Sequence, residues 1–249
     1  MSKESNYLYH LVAFVTVAIW GTTFVSTKVL MLNGISPAQI FTLRFSIAYV
    51  LMLCFNHKRL FSDSWKDEAK MMLLGITGGS LYFLSENEAM NFTTATNTSL
   101  IVCSCPLFAT LLVRLVYKDT ARINTIQMLG SLLAFVGMAI VVLNGRFVLH
   151  LAPAGDALAF TACICWAFYS LLMKSASSHY GAAFITRKVF FYGVLTILPY
   201  YFLKPACPSF STLTQLVVLG NLLFLGCLAS MVCFNHKRLF SDSWKDEAK

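Results

Sequence analysis

Charged side chains are scarce in this sequence: they make up 12% of its 249 residues, against 57% hydrophobic, and the mean hydropathy is +0.68. That excludes a water-soluble domain of this size, whose polar coat so few charges could hardly supply. No strand-like alternation runs through the apolar blocks, which excludes a β-barrel; a helix is the simplest way to satisfy a backbone in lipid. The net charge is +8, but the basic residues form no continuous patch, so no nucleic-acid partner is expected. Most of the eight cysteines sit inside apolar segments and read as small buried hydrophobes rather than a disulfide framework. The C-x-C pairs at 103/105 and 163/165 point about 200° apart on a helix, a poor chelating geometry, so no metal is expected. The five histidines fall in loops or at span ends, and no Ser, His and Asp set shares one depth. A P-loop is missing too. Catalysis, a cofactor and direct ATP drive are therefore not expected. Nor is a cleavable signal peptide: the first apolar block is too long for one, and no small-residue cleavage site follows it.

Long apolar runs are what the sequence has. A spanning helix needs about 20 largely apolar residues, and eight such runs stand at 11–31, 37–55, 71–90, 94–117, 126–144, 155–174, 183–203 and 212–233. The fold class is all-α, a polytopic transmembrane helix bundle. Turn chemistry marks the breaks: Asn33-Gly34 with Pro37, Asn144-Gly145 with Pro153, and Pro205 with Pro208. With the N-terminus inside, one side receives Lys3, Lys58, Arg59, Lys66, Lys70, Lys118, Arg122, Lys174, Lys237, Arg238, Lys245 and Lys249, the other only Arg146 and Lys204. The positive-inside rule then places both termini in the cytoplasm, with the chain in the plasma membrane and the lipid bilayer as its partner. A homo-oligomer stays open.

An internal repeat is visible. Trp20 precedes Lys28, and Trp166 precedes Lys174, by the same eight positions, and each pair is followed by a Leu-Gly step at Gly75 or Gly220. The first unit (1–144) holds five spans, so the second (145–233) starts on the opposite side, an inverted repeat of the kind found in secondary transporters. A second repeat is literal: residues 233–249 copy residues 54–70 letter for letter. The second unit thus stops after three spans, and 234–249 reads as a duplicated cytoplasmic tail, a copy of 55–70.

Charges inside spans cost roughly 2.5–3.5 kcal/mol each at mid-helix, so they default to functional hypotheses. Lys28 lies about 7 Å below Asn33, Arg44 about 10 Å below Pro37 and Glu86 about 9 Å below Phe92. All three reach the same outer third, where a carboxylate and two cations form a network or, in the plain reading, a structural ion pair with snorkelling lysine. Trp20, Thr23, Phe24, Thr27 and Lys28 share one helix face that suits a small polar or zwitterionic substrate, although threonines in lipid also bond back to their own helix. Trp166, Tyr169, Ser170 and Lys174 make a similar stripe in the second unit. Asn97 is a further candidate for the pathway. Pro106, inside the fourth span, is expected to kink it, which suits gating or static packing. Arg187 and Lys188 read as ordinary inner-side anchors, and Gly75-x-x-x-Gly79 as a packing motif.

The segments AIWGTTFVSTKVL (18–30), SPAQIFTLRF (36–45), GITGGSLYFLSENEAM (75–90), SLIVCSCPLFATLL (99–112) and GDALAFTACICWAFYSLLMK (155–174) together resemble the EamA-like branch of the drug/metabolite transporter superfamily over about 8–233. The resemblance implies a ten-span carrier of two inverted five-span units that moves small metabolites, often outward. This sequence departs from that pattern after Phe234, where the last two spans are missing. The expectation is a secondary carrier of small organic metabolites working by alternating access; the alternative is a truncated, transport-inactive remnant or assembly partner.

Overall fold

The computed structural model describes residues 3–55, 59–116, 125–143, 152–203 and 208–232. The loop residues Lys58, Lys118, Arg122, Arg146 and Lys204, the Asn144-Gly145 turn and the copied tail 233–249 lie outside the described residues. The helices are α1 (Lys3–Leu32), α2 (Pro37–Phe55), α3 (Trp65–Gly75), α4 (Leu81–Phe92), α5 (Ala95–Val102), α6 (Cys105–Val116), α7 (Thr125–Leu143), α8 (Pro153–Ala176), α9 (Ala182–Leu203), α10 (Phe210–Leu213) and α11 (Leu216–Leu223). Two π-helical segments, Ile76–Ser80 and Phe224–Val232, continue α3 into α4 and extend α11. No strand occurs among the described residues.

Among the described residues, five stretches are long and apolar enough to cross a membrane on their own: Phe14–Leu32, Pro37–Cys54, Ala95–Val116, Pro153–Ala176 and Ala182–Leu203. The remaining spans expected from the sequence correspond to the rod 65–92, to α7 and to α11 with its π extension. The bundle is apolar outside as well as inside. Phe14, Val25, Leu32, Leu133, Phe202 and Leu216 are largely exposed, while Arg44, Glu86, Asn87, Arg187, Lys188 and Ser230 are buried. A protein in water would invert that arrangement; in lipid it puts acyl chains against apolar side chains and shelters the polar ones.

Helix directions follow from the contacts. The turn after α1 reverses the chain: Gly34 has φ +84°, and Ile35 N–H reaches back to Leu30 O at 3.1 Å. A glycine at that left-handed position closes the helix without a Cβ penalty. α8 runs against the rod 65–92: Lys70 Nζ donates to Ser175 Oγ at one end, while at the other Gly155 sits against Thr93 and Ala89 O. Lys28 Nζ donates to Met90 O at 2.8 Å, which puts the C-terminal part of α1 beside that of α4. α1 and α8 therefore cross the bundle in opposite directions. We refer to the two bundle ends as the Asn33 end and the Arg59 end.

One apolar core joins α2, α4, α8 and α9 through Phe41, Phe45, Phe83, Ala162 and Phe190. Glycines allow the tightest crossing. A Cβ on Gly75 would lie 2.5 Å from Tyr192 Cβ, and one on Gly79 would lie 3.2 Å from Gly193 Cα. Gly75 and Gly79 thus bring the rod against α9 at backbone distance. The fourth rod is broken at Cys103–Ser104, and Pro106 stands in the first turn of α6 rather than mid-helix, where its missing N–H costs no ladder bond.

Candidate functional site

α4 carries the buried acid. Glu86 is 7% exposed, and its Oε1 accepts a hydrogen bond from Tyr82 Oη at 2.8 Å. It is the sole acid among the buried polar residues described. Tyr82 and Glu86 are four apart, one turn of the same helix face, so the phenol's reach to the carboxylate is built into the local geometry. Beside them Asn87 Nδ2 is buried with no hydrogen-bond partner among the described residues.

Arg44 of α2 reaches the same region without pairing to Glu86; among the described residues no cationic nitrogen lies within 4.0 Å of that carboxylate. Instead its Nε and Nη2 donate to Ser230 Oγ at 3.2 and 3.0 Å. Its guanidinium lies over Phe83, 4.7 Å from the ring centroid, and 5.6 Å from that of Phe45. Aromatic faces and a hydroxyl therefore hold a cation at 3% exposure. Ser230 also donates to Leu225 O at 2.8 Å, so the π-helical end of α11 fixes the guanidinium in place.

The tryptophans meet in the middle. Trp20 and Trp166 pack edge to face with centroids 6.4 Å apart, and Trp166 contacts Tyr82 and Tyr169, each at 5.1 Å. Thr27 is buried on the same face of α1. Trp20, Trp166, Tyr169, Glu86 and Arg44 are thus linked through Tyr82 and Phe83, while Thr27 and Lys28 lie about two turns further along α1. The hydroxyl of Thr23 bonds back to Trp20 O at 2.7 Å. Lys28 is spent on the Met90 carbonyl rather than on Glu86. Asn97 lies at the Asn33 end, where its Nδ2 donates to Asp156 Oδ1 at 3.0 Å and Thr93 Oγ1 at 3.2 Å. Lys174 is exposed near the Arg59 end. Neither joins the Glu86 region.

At the Arg59 end the structure corrects one expectation. Arg187 and Lys188 are not ordinary interfacial anchors: they are 2% and 4% exposed. Lys188 forms an ion pair with Glu68, whose Oε1 also accepts from Tyr192 and whose Oε2 accepts from Ser62 N–H at 2.9 Å. Arg187 donates to the Arg59 carbonyl, and Arg59 pairs with Asp63. Tyr180 Oη donates to Asp67 Oδ2 and accepts from Asp63 N–H, both at 3.0 Å. Burial pushes the Glu68 carboxyl up, but the hydrogen bonds from Lys188, Tyr192 and Ser62 outweigh it and hold the group at about 2. The loop between α2 and α3 is thereby tied to α9. A cleft of about 320 Å³ lined by Phe61, Ser62, Asp63, Ser64, Trp65 and Glu68 opens beside it. Sequence reasoning missed Glu68 because it belongs to a hydrophilic run. The available signal was its place in the first turn of a helix capped by Ser64, whose Oγ accepts from Asp67 N–H.

The family model of the EamA-like transporter family matches residues 8–143. An uncharacterized transporter of Archaeoglobus fulgidus is 27% identical over 222 residues, which cover 88% of this chain and 75% of that protein. The uncharacterized transporter YyaM of Bacillus subtilis is 30% identical over 148 residues, 55% of this chain and 46% of the relative. A protein of known crystal structure superposes with a TM-score of 0.70 at 16% identity, covering 93% of this chain and 80% of that one, a likeness of fold. The match to more than half of the sequence, on an all-helical bundle of membrane-length apolar helices, makes the chain a member of the EamA-like transporter family: a multi-pass membrane transporter and not an enzyme.

Proposed function

We propose that the chain is a secondary carrier that exports small polar or zwitterionic metabolites by alternating access, with the Arg59 end and both termini in the cytoplasm. In this reading the units 1–144 and 145–233 are inverted copies, and the substrate binds where they meet. The observation that carries it is the meeting of Trp20 and Trp166 on oppositely directed helices, next to a buried carboxylate and a buried guanidinium. A half-buried aromatic wall with two separated, unpaired charges suits a substrate that carries both signs. Glu86 is the group we assign to binding the substrate's cationic end or a coupled proton; Arg44 takes the anionic end.

In this reading the Lys188–Glu68–Tyr192 contacts and the Arg187–Arg59 contact are the gate at the Arg59 end. Alternating access then requires them to open as the Asn33 end closes. The test is counterflow of a panel of radiolabelled amino acids and amines in proteoliposomes. Accumulation of at least one should occur with the wild type and fall at least tenfold with Glu86→Gln and with Arg44→Ala. Wild-type activity that survives both substitutions removes these residues from the mechanism. No accumulation of any probe by a folded protein favours the assembly-partner reading, which the literal copy of 54–70 at 233–249 motivates.

A further inference from the structure

The break between α5 and α6 is held by a sulfur on another helix. Ile101 O, freed where α5 ends, accepts from Ser104 N–H at 2.9 Å, from Ser104 Oγ and from Cys163 Sγ of α8 at 3.3 Å. Cys163 Sγ in turn lies 3.1 Å from Cys105 Sγ, the first residue of α6. Both cysteines are buried, Cys163 at 0% and Cys105 at 4% exposure. Their separation exceeds the roughly 2.0 Å of a disulfide bond by only about 1 Å, a gap that small side-chain rotations cover. The neighbouring cysteines of each C-x-C pair, Cys103 and Cys165, point elsewhere on their helices and form no such pair. Each C-x-C motif is a poor chelator by itself, yet the second sulfur of one meets the first sulfur of the other.

We propose that Cys105 and Cys163 are a reversible thiol–disulfide site, oxidised by small uncharged peroxides, that ties the α5–α6 break to α8. The Cys163 sulfur, which accepts the Cys105 S–H, attacks one oxygen of hydrogen peroxide. The O–O bond breaks and the leaving hydroxide takes the Cys163 thiol proton, which had been donated to Ile101 O, giving a sulfenic acid on Cys163 and one water. The Cys105 sulfur then attacks the sulfenic sulfur, the S–O bond breaks, the S–S bond forms, and a second water leaves with the thiol proton. Two thiols and one peroxide become one disulfide and two waters; sulfur loses the two electrons that oxygen gains. A dithiol reductant reverses the reaction. An uncharged oxidant is required because the pair lies about 15 Å along α8 from Pro153, near mid-membrane.

The site does not depend on the carrier reading, and its test needs no substrate. The full chain in lipid nanodiscs is exposed to hydrogen peroxide, alkylated under non-reducing conditions and digested. A peptide linking Cys105 to Cys163 should appear, vanish with dithiothreitol, and be absent from Cys105→Ala and Cys163→Ala. Cross-linking across the break should also raise the wild-type melting temperature by several degrees, and neither variant should show that rise. If peroxide leaves both residues as free thiols in the folded wild type, or links either of them preferentially to Cys103 or Cys165, the proposal is overturned. Because the decisive measurement is on the wild type, a variant that fails to fold does not rescue it.

Discussion

Trp20 and Trp166 meet edge to face with ring centroids 6.4 Å apart, on helices that cross the bundle in opposite directions. Two residues matched by sequence spacing are therefore also partners in space, and they join α1 to α8. A double-mutant cycle between Trp20→Ala and Trp166→Ala should give a coupling free energy of about 1 kcal/mol. Thermal unfolding in detergent measures it, and additive effects of the two substitutions would show that the rings merely adjoin. Trp166→Ala alone should cost about 3 kcal/mol, since it also gives up Tyr82 and Tyr169.

Gly75→Ala should destabilise the protein by about 1–3 kcal/mol, because its Cβ would sit 2.5 Å from Tyr192 Cβ and 3.0 Å from Gly193 N. Gly220, which also follows a leucine in an apolar run, has nothing within 4 Å of a built Cβ. Gly220→Ala should be neutral or slightly stabilising by helix propensity. Melting temperatures of the two variants distinguish a packing glycine from a merely matched one.

Lys188→Met should cost about 3 kcal/mol, the usual penalty for removing one partner of a buried ion pair. Adding Glu68→Leu should recover a large part of that loss, since the uncompensated carboxylate disappears with it. Chemical denaturation of the single and double variants supplies the comparison; a double variant no better than Lys188→Met would mean that Glu68 acts through Tyr192 and Ser62 rather than the lysine.

The folded Glu68 carboxyl is held at about 2, below its ordinary 4.5. A carboxyl depressed in the folded state stabilises the fold fully above its unfolded value, and the contribution is lost as pH falls through the folded one. The Arg59 end should therefore keep its closed contacts at pH 5–8 and weaken between about 4.5 and 2. Proteolysis or hydrogen exchange of the α2–α3 loop across that window should show the loosening. Glu68→Gln should flatten the pH response there while leaving the rest of the curve in place.

Much of the fold was legible because lipid imposes one dominant rule, that apolar runs of sufficient length become helices. The tight turn at Asn33-Gly34, the glycine crossing at Gly75 and the burial of Arg44 and Glu86 all follow from local sequence. The partners were not legible. Arg44 finds Ser230 and the Phe83 ring, Lys28 finds a carbonyl, and Lys188 finds Glu68, and each choice depends on which helices become neighbours. Glu68 was hidden by composition, since a charged run beside a span looks the same whether solvated or tucked under α9. The Cys105–Cys163 contact was hidden by the i, i+2 spacing, which directs attention within each helix instead of between them.

The π-helical stretch Ile76–Ser80, where Leu81 N–H reaches Ile76 O, accommodates one residue more than a plain α-helix would. The wide turn absorbs that residue in a full revolution, so the helix beyond it keeps the phase it would have had with one residue fewer. Ordinary winding through the same residues would turn everything beyond by about 100°. Met71 and Leu74 would keep their place against α9, whereas Tyr82, Glu86 and Asn87 would swing off α2 and α8 toward hydrocarbon. The swelling of one turn thus sets the azimuth of the carboxylate, and a change of winding invisible to any count of apolar residues would leave the chain inserted but wrongly phased.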